Sequence, residues 1–152
     1  MIHSILVICI GNVCRSPIGA RLLQQAFPDK RIVSAGLHAL VGYPADPRAC
    51  RAAAAFGYSL EGHRAQQVTQ ALCHDCDLIL TMEKKHTEQL CNNWPEVRGK
   101  IRLFGHWLNI SEMGDPRGKS QEAFKQLFLM MRSAAKGWGD TLSNEKVCDE
   151  RK

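Results

Sequence analysis

"VICIGNVCRSPIG", Val7–Gly19, runs from an apolar β-branched stretch into a turn that carries two cysteines, an arginine and a serine. The apolar part, "SILVIC" at Ser4–Cys9, has the length and composition of a buried parallel strand. Pro17 suits the first turn of a helix, where its missing N–H is unpaired in any case. Ile18, Leu22, Leu23 and Phe27 then recur at helical spacing. The stretch therefore reads as strand, tight turn, helix.

The same alternation continues outward. "RIVSAG" (31–36) is a second strand. "ADPRACRAAAAFG" (45–57) is a helix with Asp46 as N-cap, Pro47 first inside and Gly57 as its stop. "RAQQVTQALC" (64–73) reads as a third helix and "DLILTM" (77–82) as a third strand. A helix over 84–91 and a fourth strand, "KIRLFG" (100–105), follow. Phe124, Leu127, Phe128, Met131, Ala135 and Trp138 share one face of a closing helix. Such alternation predicts an α/β fold: one domain over 1–152, a four-stranded parallel sheet and helices on both faces. "SNEKVCDERK" (143–152) is polar and is expected to fray. Trp94, Trp107 and Trp138 are expected in the core.

Composition narrows the function. With 152 residues, 45% hydrophobic and 23% charged, the chain suits one soluble domain. No apolar run approaches the ~20 residues of a membrane span, so no membrane insertion is expected. "MIHSILVICIGN" has no basic leader region, so no signal peptide and a cytoplasmic location are expected. Seven cysteines form no secreted disulfide framework and fit reduced thiols. The formal charge of +5 includes no dense basic run. It suits an anionic substrate, and nothing resembles a nucleic-acid platform.

In open parallel sheets ligands bind at the carboxyl ends of strands, where the turn after "SILVIC" lies. Gly11 and Asn12 tolerate unusual dihedrals. A tight curl over Ile10, Gly11, Asn12, Val13 and Cys14 turns successive N–H groups inward as an anion nest, and the following helix adds its N-terminus. Arg15 offers a planar fork for two phosphate oxygens. Cys9 stands where a thiolate nucleophile would meet a bound phosphate. Taken alone, a strand-ending cysteine is a small buried hydrophobe. The combination Cys-x5-Arg-Ser between strand and helix is far more specific. A Walker loop and a dinucleotide fingerprint are both absent.

"VICIGNVCRSP" resembles the signature of the low-molecular-weight protein tyrosine phosphatases. The resemblance extends through "SAG", "EGHRAQQVT", "DLILTMEKKH" and "RGKIRLFGHW" to Asp115-Pro116, and is strongest to the bacterial branch acting on tyrosine autokinases of exopolysaccharide assembly. It implies that Cys9 attacks phosphorus, Arg15 binds phosphate and the transition state, and Ser16 hydrogen-bonds the sulfur. Asn12, Ser34 and His63 would hold the strained loop, and Asp115 would be the general acid. Leu40 and Arg117 would form the substrate rim. A phosphotyrosine protein is the implied partner and a monomer the implied state, with no cofactor and no metal. Some family members pair the two loop cysteines under oxidant, which here would join Cys9 to Cys14.

Residue chemistry alone leaves Asp115 open as an acid or as a turn residue. Arg117 stands where the family commonly has tyrosine, and Gly19-Ala20 replace polar residues, a change expected to concern only the helix surface. "CHDC" (73–76) lacks the second pair a zinc site needs. Two other functions compete. An arsenate reductase on this scaffold would need a cysteine near Glu83. A non-catalytic phosphate-binding module would follow if Arg117 disabled the acid loop.

Overall fold

The computed structural model describes residues 1–150, with side chains described through Ser143. Most of the tail expected to fray lies outside the residues whose side chains are described. Four strands form one parallel sheet in the order β2-β1-β3-β4: β1 Ser4–Cys9, β2 Arg31–Gly36, β3 Leu78–Thr81 and β4 Ile101–Leu103. The helices are α1 Arg15–Ala26, α2 Pro47–Ala55, α3 Gln70–Asp75, α4 Lys84–Asn93 and α5 Gln121–Glu150, with a 3₁₀ turn at Pro95–Lys100. This is the expected fold class.

Alternation along the central strand divides the core. Ile5, Val7 and Cys9 face α1, α2 and α5, where Ile18, Leu23, Phe124 and Phe128 are buried. Leu6 and Ile8 face the other side, with Cys73, Ile79, Leu90 and Val97. Both faces of β1 are covered, which is why its sequence is continuously apolar rather than alternating.

The expected helix over 64–73 forms only from Gln70. Gly36 N donates to Gln66 O (2.9 Å) and Val68 N to Gly36 O (2.9 Å), so this segment lies extended along the end of β2. Thr69 is the N-cap of α3, its hydroxyl accepting from Leu72 N (3.1 Å). A Thr at this position is a start signal, and the apolar pattern before it belongs to extended chain. Asp46 caps α2 as expected, accepting from Arg48 N at 2.8 Å.

Two further expectations are corrected. Gly19 is buried inside α1, and a Cβ there would stand 2.9 Å from Phe104, 3.1 Å from Met131 and 3.2 Å from Val7. The glycine lets α1 approach the sheet and α5, so the change there concerns packing rather than surface. Trp138 is buried, its Nε1 donating to Phe104 O (2.9 Å), whereas Trp107 is 47% exposed and packs edge-on against it. The order 2-1-3-4 places a topological switch point at the carboxyl ends of β1 and β3. The loops after β1, β3 and β4 meet there.

Candidate active site

The β1–α1 loop is built from a carbonyl network pulled outward. The carbonyls of Cys9, Ile10, Gly11 and Val13 accept from the backbone N–H groups of Leu37, His38, Leu40 and Asp46, at 2.8–3.0 Å. No backbone N–H from Gly11 to Cys14 donates to another protein group among the described residues. A run of free donors is left at the start of α1, the arrangement of an anion nest.

Asn12 is the keystone of this loop. Its φ of 60° makes it the one positive-φ residue other than glycine among those described, a conformation asparagine tolerates better than most. Its amide nitrogen donates to Ser16 Oγ (2.7 Å) and Ser34 Oγ (3.0 Å), and its Oδ1 accepts from Gln66 N (2.8 Å). His63 Nε2 lies 2.6 Å from the Asn12 carbonyl. Burial lowers the pKa of His63, which suits a neutral ring donating from Nε2. Gly36 completes the support: a Cβ there would stand 2.3 Å from Ile10 O, so only glycine lets the loop cross the end of β2.

Cys9 Sγ and Ser16 Oγ are 2.9 Å apart and buried. Arg15 is also buried, and its Nη1 donates to Glu83 Oε2 and to Met113 O, both at 2.8 Å. Its Nη2 lies 3.8 Å from Asp115 Oδ2, on a carboxylate that is 41% exposed. Asp115 Oδ1 accepts from Arg117 N (3.0 Å), closing a turn that presents the acid. Leu40 and Arg117 flank Gly11: a Cβ on Gly11 would lie 3.9 Å from Leu40 Cγ and 3.6 Å from Arg117 Nη1. Cys14 is buried, and burial, then Asp46, push its thiol up to about 12.

The loop, support, acid and rim residues expected from sequence are thus linked by contacts at the carboxyl end of β1, with Ser34 and His63 supporting the loop from the side of β2. The structure adds Gly36, Gln66, Glu83, His86 and the Met113 carbonyl. Cys73 and Cys76 lie in the core, and no cluster of three potential metal ligands occurs among the described residues.

Residues 4–148 match the family model for low molecular weight phosphotyrosine protein phosphatases. The chain belongs to that family. It is 50% identical over 147 residues to the low molecular weight protein-tyrosine-phosphatase Wzb of Escherichia coli, covering 97% of this chain and all of that one. It is 52% identical over 143 residues to AmsI of Erwinia amylovora, described as a probable enzyme of the same type, covering 94% and 99%. The crystal structure of Wzb from Escherichia coli in complex with sulphate superposes with a TM-score of 0.92 at 49% identity, covering 93% of this chain and 99% of that one. Among the described residues no helix is long and apolar enough to cross a membrane.

Proposed function

We propose that the protein hydrolyses phosphotyrosine in proteins through a cysteinyl-phosphate intermediate. The observation that carries this reading is the buried Cys9–Ser16 pair at 2.9 Å, at the mouth of a loop of free N–H donors with Arg15 beside it. In the first step the Cys9 thiolate attacks phosphorus and the bond to the phenolic oxygen breaks. The phosphoryl oxygens meet the loop N–H groups and the Arg15 fork, which stabilise the spreading negative charge. Asp115, exposed and 3.8 Å from the Arg15 fork, gives its proton to the departing phenolate.

In the second step the Asp115 carboxylate takes a proton from water, whose oxygen attacks phosphorus. The S–P bond breaks, inorganic phosphate forms and the sulfur leaves as a thiolate. The Ser16 hydroxyl donates to that thiolate and makes it a better leaving group. Arsenate reduction is not favoured, because the position after β3 holds Glu83, engaged with Arg15.

The physiological substrate we infer is a tyrosine autokinase of exopolysaccharide assembly, met in the cytoplasm by a monomeric enzyme. The exposed Val41 and Tyr43 beside Leu40, with Arg117 opposite, give an apolar and basic rim suited to an aromatic phosphoester in an acidic peptide. The test is hydrolysis of a phosphotyrosine and a phosphoserine peptide by wild type and Cys9→Ser. Phosphotyrosine alone should be cleaved. Cys9→Ser should lose turnover and still bind inorganic phosphate. Activity of Cys9→Ser above a few per cent of wild type rules out Cys9 as nucleophile.

A further inference from the structure

Arg15 is held at one nitrogen by two groups from outside its own loop. Nη1 has two protons, and Glu83 Oε2 and Met113 O accept them, each at 2.8 Å. A guanidinium is planar, so fixing Nη1 at two points fixes the whole fork. The Nε–Nη2 edge is left for the anion.

Glu83 is itself held. It is the N-cap of α4, and its backbone N–H donates to His86 Nδ1 at 3.2 Å. A neutral imidazole accepting at Nδ1 carries its proton at Nε2. His86 is 1% exposed, and its Nε2 lies 3.3 Å from Glu83 Oε2, the same oxygen that receives Arg15. That contact is not aligned as a hydrogen bond, and Nε2 has no other partner among the described residues. A buried N–H without a partner is costly, and this one faces the carboxylate behind Arg15. The groups around it are Arg15, Glu83, Lys85 and Asp115; burial, then Arg15, hold the ring's pKa down to about 4.

We propose that Glu83, backed by the His86 Nε2–H, is a positioning residue for Arg15. The carboxylate fixes the plane of the guanidinium so that its free edge matches the equatorial oxygens of a five-coordinate phosphorus. Its charge also offsets part of the arginine's pull on ground-state phosphate. Glu83 therefore favours the transition state over the bound anion, the difference that accelerates a reaction. The proposal rests on the phosphatase reading of the loop, so its test includes readouts that need no turnover.

Inorganic phosphate and vanadate, which adopts five-coordinate geometry on a thiolate, serve as probes of the two states. Titration of both against wild type and Glu83→Gln compares their affinities, with steady-state hydrolysis of a phosphotyrosine peptide and a thermal melt alongside. In Glu83→Gln the vanadate-to-phosphate affinity ratio should fall about tenfold and kcat by a similar factor, while phosphate binds at least as tightly as to wild type. His86→Leu removes the Nε2–H, together with the Nδ1 acceptor of the Glu83 N–H, and leaves no donor facing the carboxylate. It should lower the same ratio about threefold alone and add nothing in the Glu83→Gln background.

An unchanged ratio in Glu83→Gln overturns the proposal. So does equal weakening of both anions with a lower melting temperature, which marks a purely structural role. Additive effects of the two substitutions remove His86 from it. Wild type that shows the expected ratio change on mutation and cleaves no phosphotyrosine sinks the phosphatase reading and leaves this inference standing.

Discussion

Asn12 holds a left-handed backbone conformation, and His63 grips its carbonyl oxygen from 2.6 Å away. Strain at one residue is thus held by side chains from three other segments, through Ser16, Ser34 and His63. Asn12→Gly separates strain from support. Glycine relieves a cost of about 1–2 kcal/mol at positive φ, and the side-chain bonds to Ser16, Ser34 and Gln66 N are lost. Three lost bonds at about 0.5–1.5 kcal/mol each outweigh that relief, so the protein should be destabilised by roughly 1–3 kcal/mol, while kcat falls at least tenfold. Urea unfolding and steady-state kinetics check this. Retained kcat would show that the Asn12 side chain does not hold the loop.

Asp115→Asn tests proton donation. The phenolate leaving from phosphotyrosine has a conjugate acid of pKa about 10. Its departure should slow by roughly 10²–10⁴-fold. Aryl phosphates with much more acidic phenols should suffer far less. Equal losses across a series of leaving groups would assign Asp115 a positional role.

Arg117 places a guanidinium over Gly11 at the rim. It can lie on an aromatic face and also attract acidic residues beside the phosphotyrosine. Arg117→Tyr should reduce the preference for acidic over neutral phosphopeptides and change hydrolysis of a small aryl phosphate less. The preference should shrink in high salt, where screening acts within ~8 Å or less. A wild type with no acidic preference at low salt would contradict this role.

Peroxide should inactivate the enzyme, and dithiothreitol should restore it through a Cys9–Cys14 disulfide. With its thiol pushed up to about 12, Cys14 is overwhelmingly protonated near neutrality. Its attack on an oxidised Cys9 should therefore quicken as pH rises from 7 to 9. Mass mapping after quenching at each pH measures the pairing. Recovery equally complete in Cys14→Ser would exclude it.

His86 makes stability depend on pH. Its folded pKa of about 4 lies below the ordinary 6.5, so the unfolded chain binds the proton first. This contribution is complete above 6.5 and is lost as pH falls toward 4, by roughly 3 kcal/mol in all. Lowered His63 adds loss in the same direction. Urea midpoints from pH 7.5 to 4 should fall, and His86→Gln should flatten that slope. An unchanged slope in His86→Gln would show that another group is responsible.

Much of the site was legible because its pieces are local. Cys9, Asn12, Arg15 and Ser16 fall within one strand–turn–helix unit, and periodicity places that unit at a strand end. The resemblance added Ser34, His63 and Asp115, which only the fold brings together. Glu83 and His86 were missed because their role depends on β3 lying beside β1, a neighbour relation that periodicity does not reveal. Their signal was a Glu-x-x-His at a helix start, with an apolar strand just before it. The segment 64–69 reads as helix because Ala65 and Val68 fit a helical stripe, while the backbone partners that hold it extended, Gly36 at the end of β2 and Gly42 and Tyr43 in the loop beyond, are remote in sequence. Gly19 reads like any helix-weakening glycine until Phe104 and Met131 are seen against it.

Met113 ties the acid loop at two points: its N–H donates to Met82 O at the end of β3, and its carbonyl accepts from Arg15. The segment bearing Asp115 is thereby stitched both to the sheet and to the phosphate grip. Enzymes that swing an acid over bound substrate on a hinged flap often have turnover limited by that closure. Here the proton donor is mounted on the same frame as the anion clamp, only two residues beyond the stitch. Substrate entry should then resemble insertion into a fixed socket, and turnover should track the chemistry of the ester rather than the viscosity of the solvent.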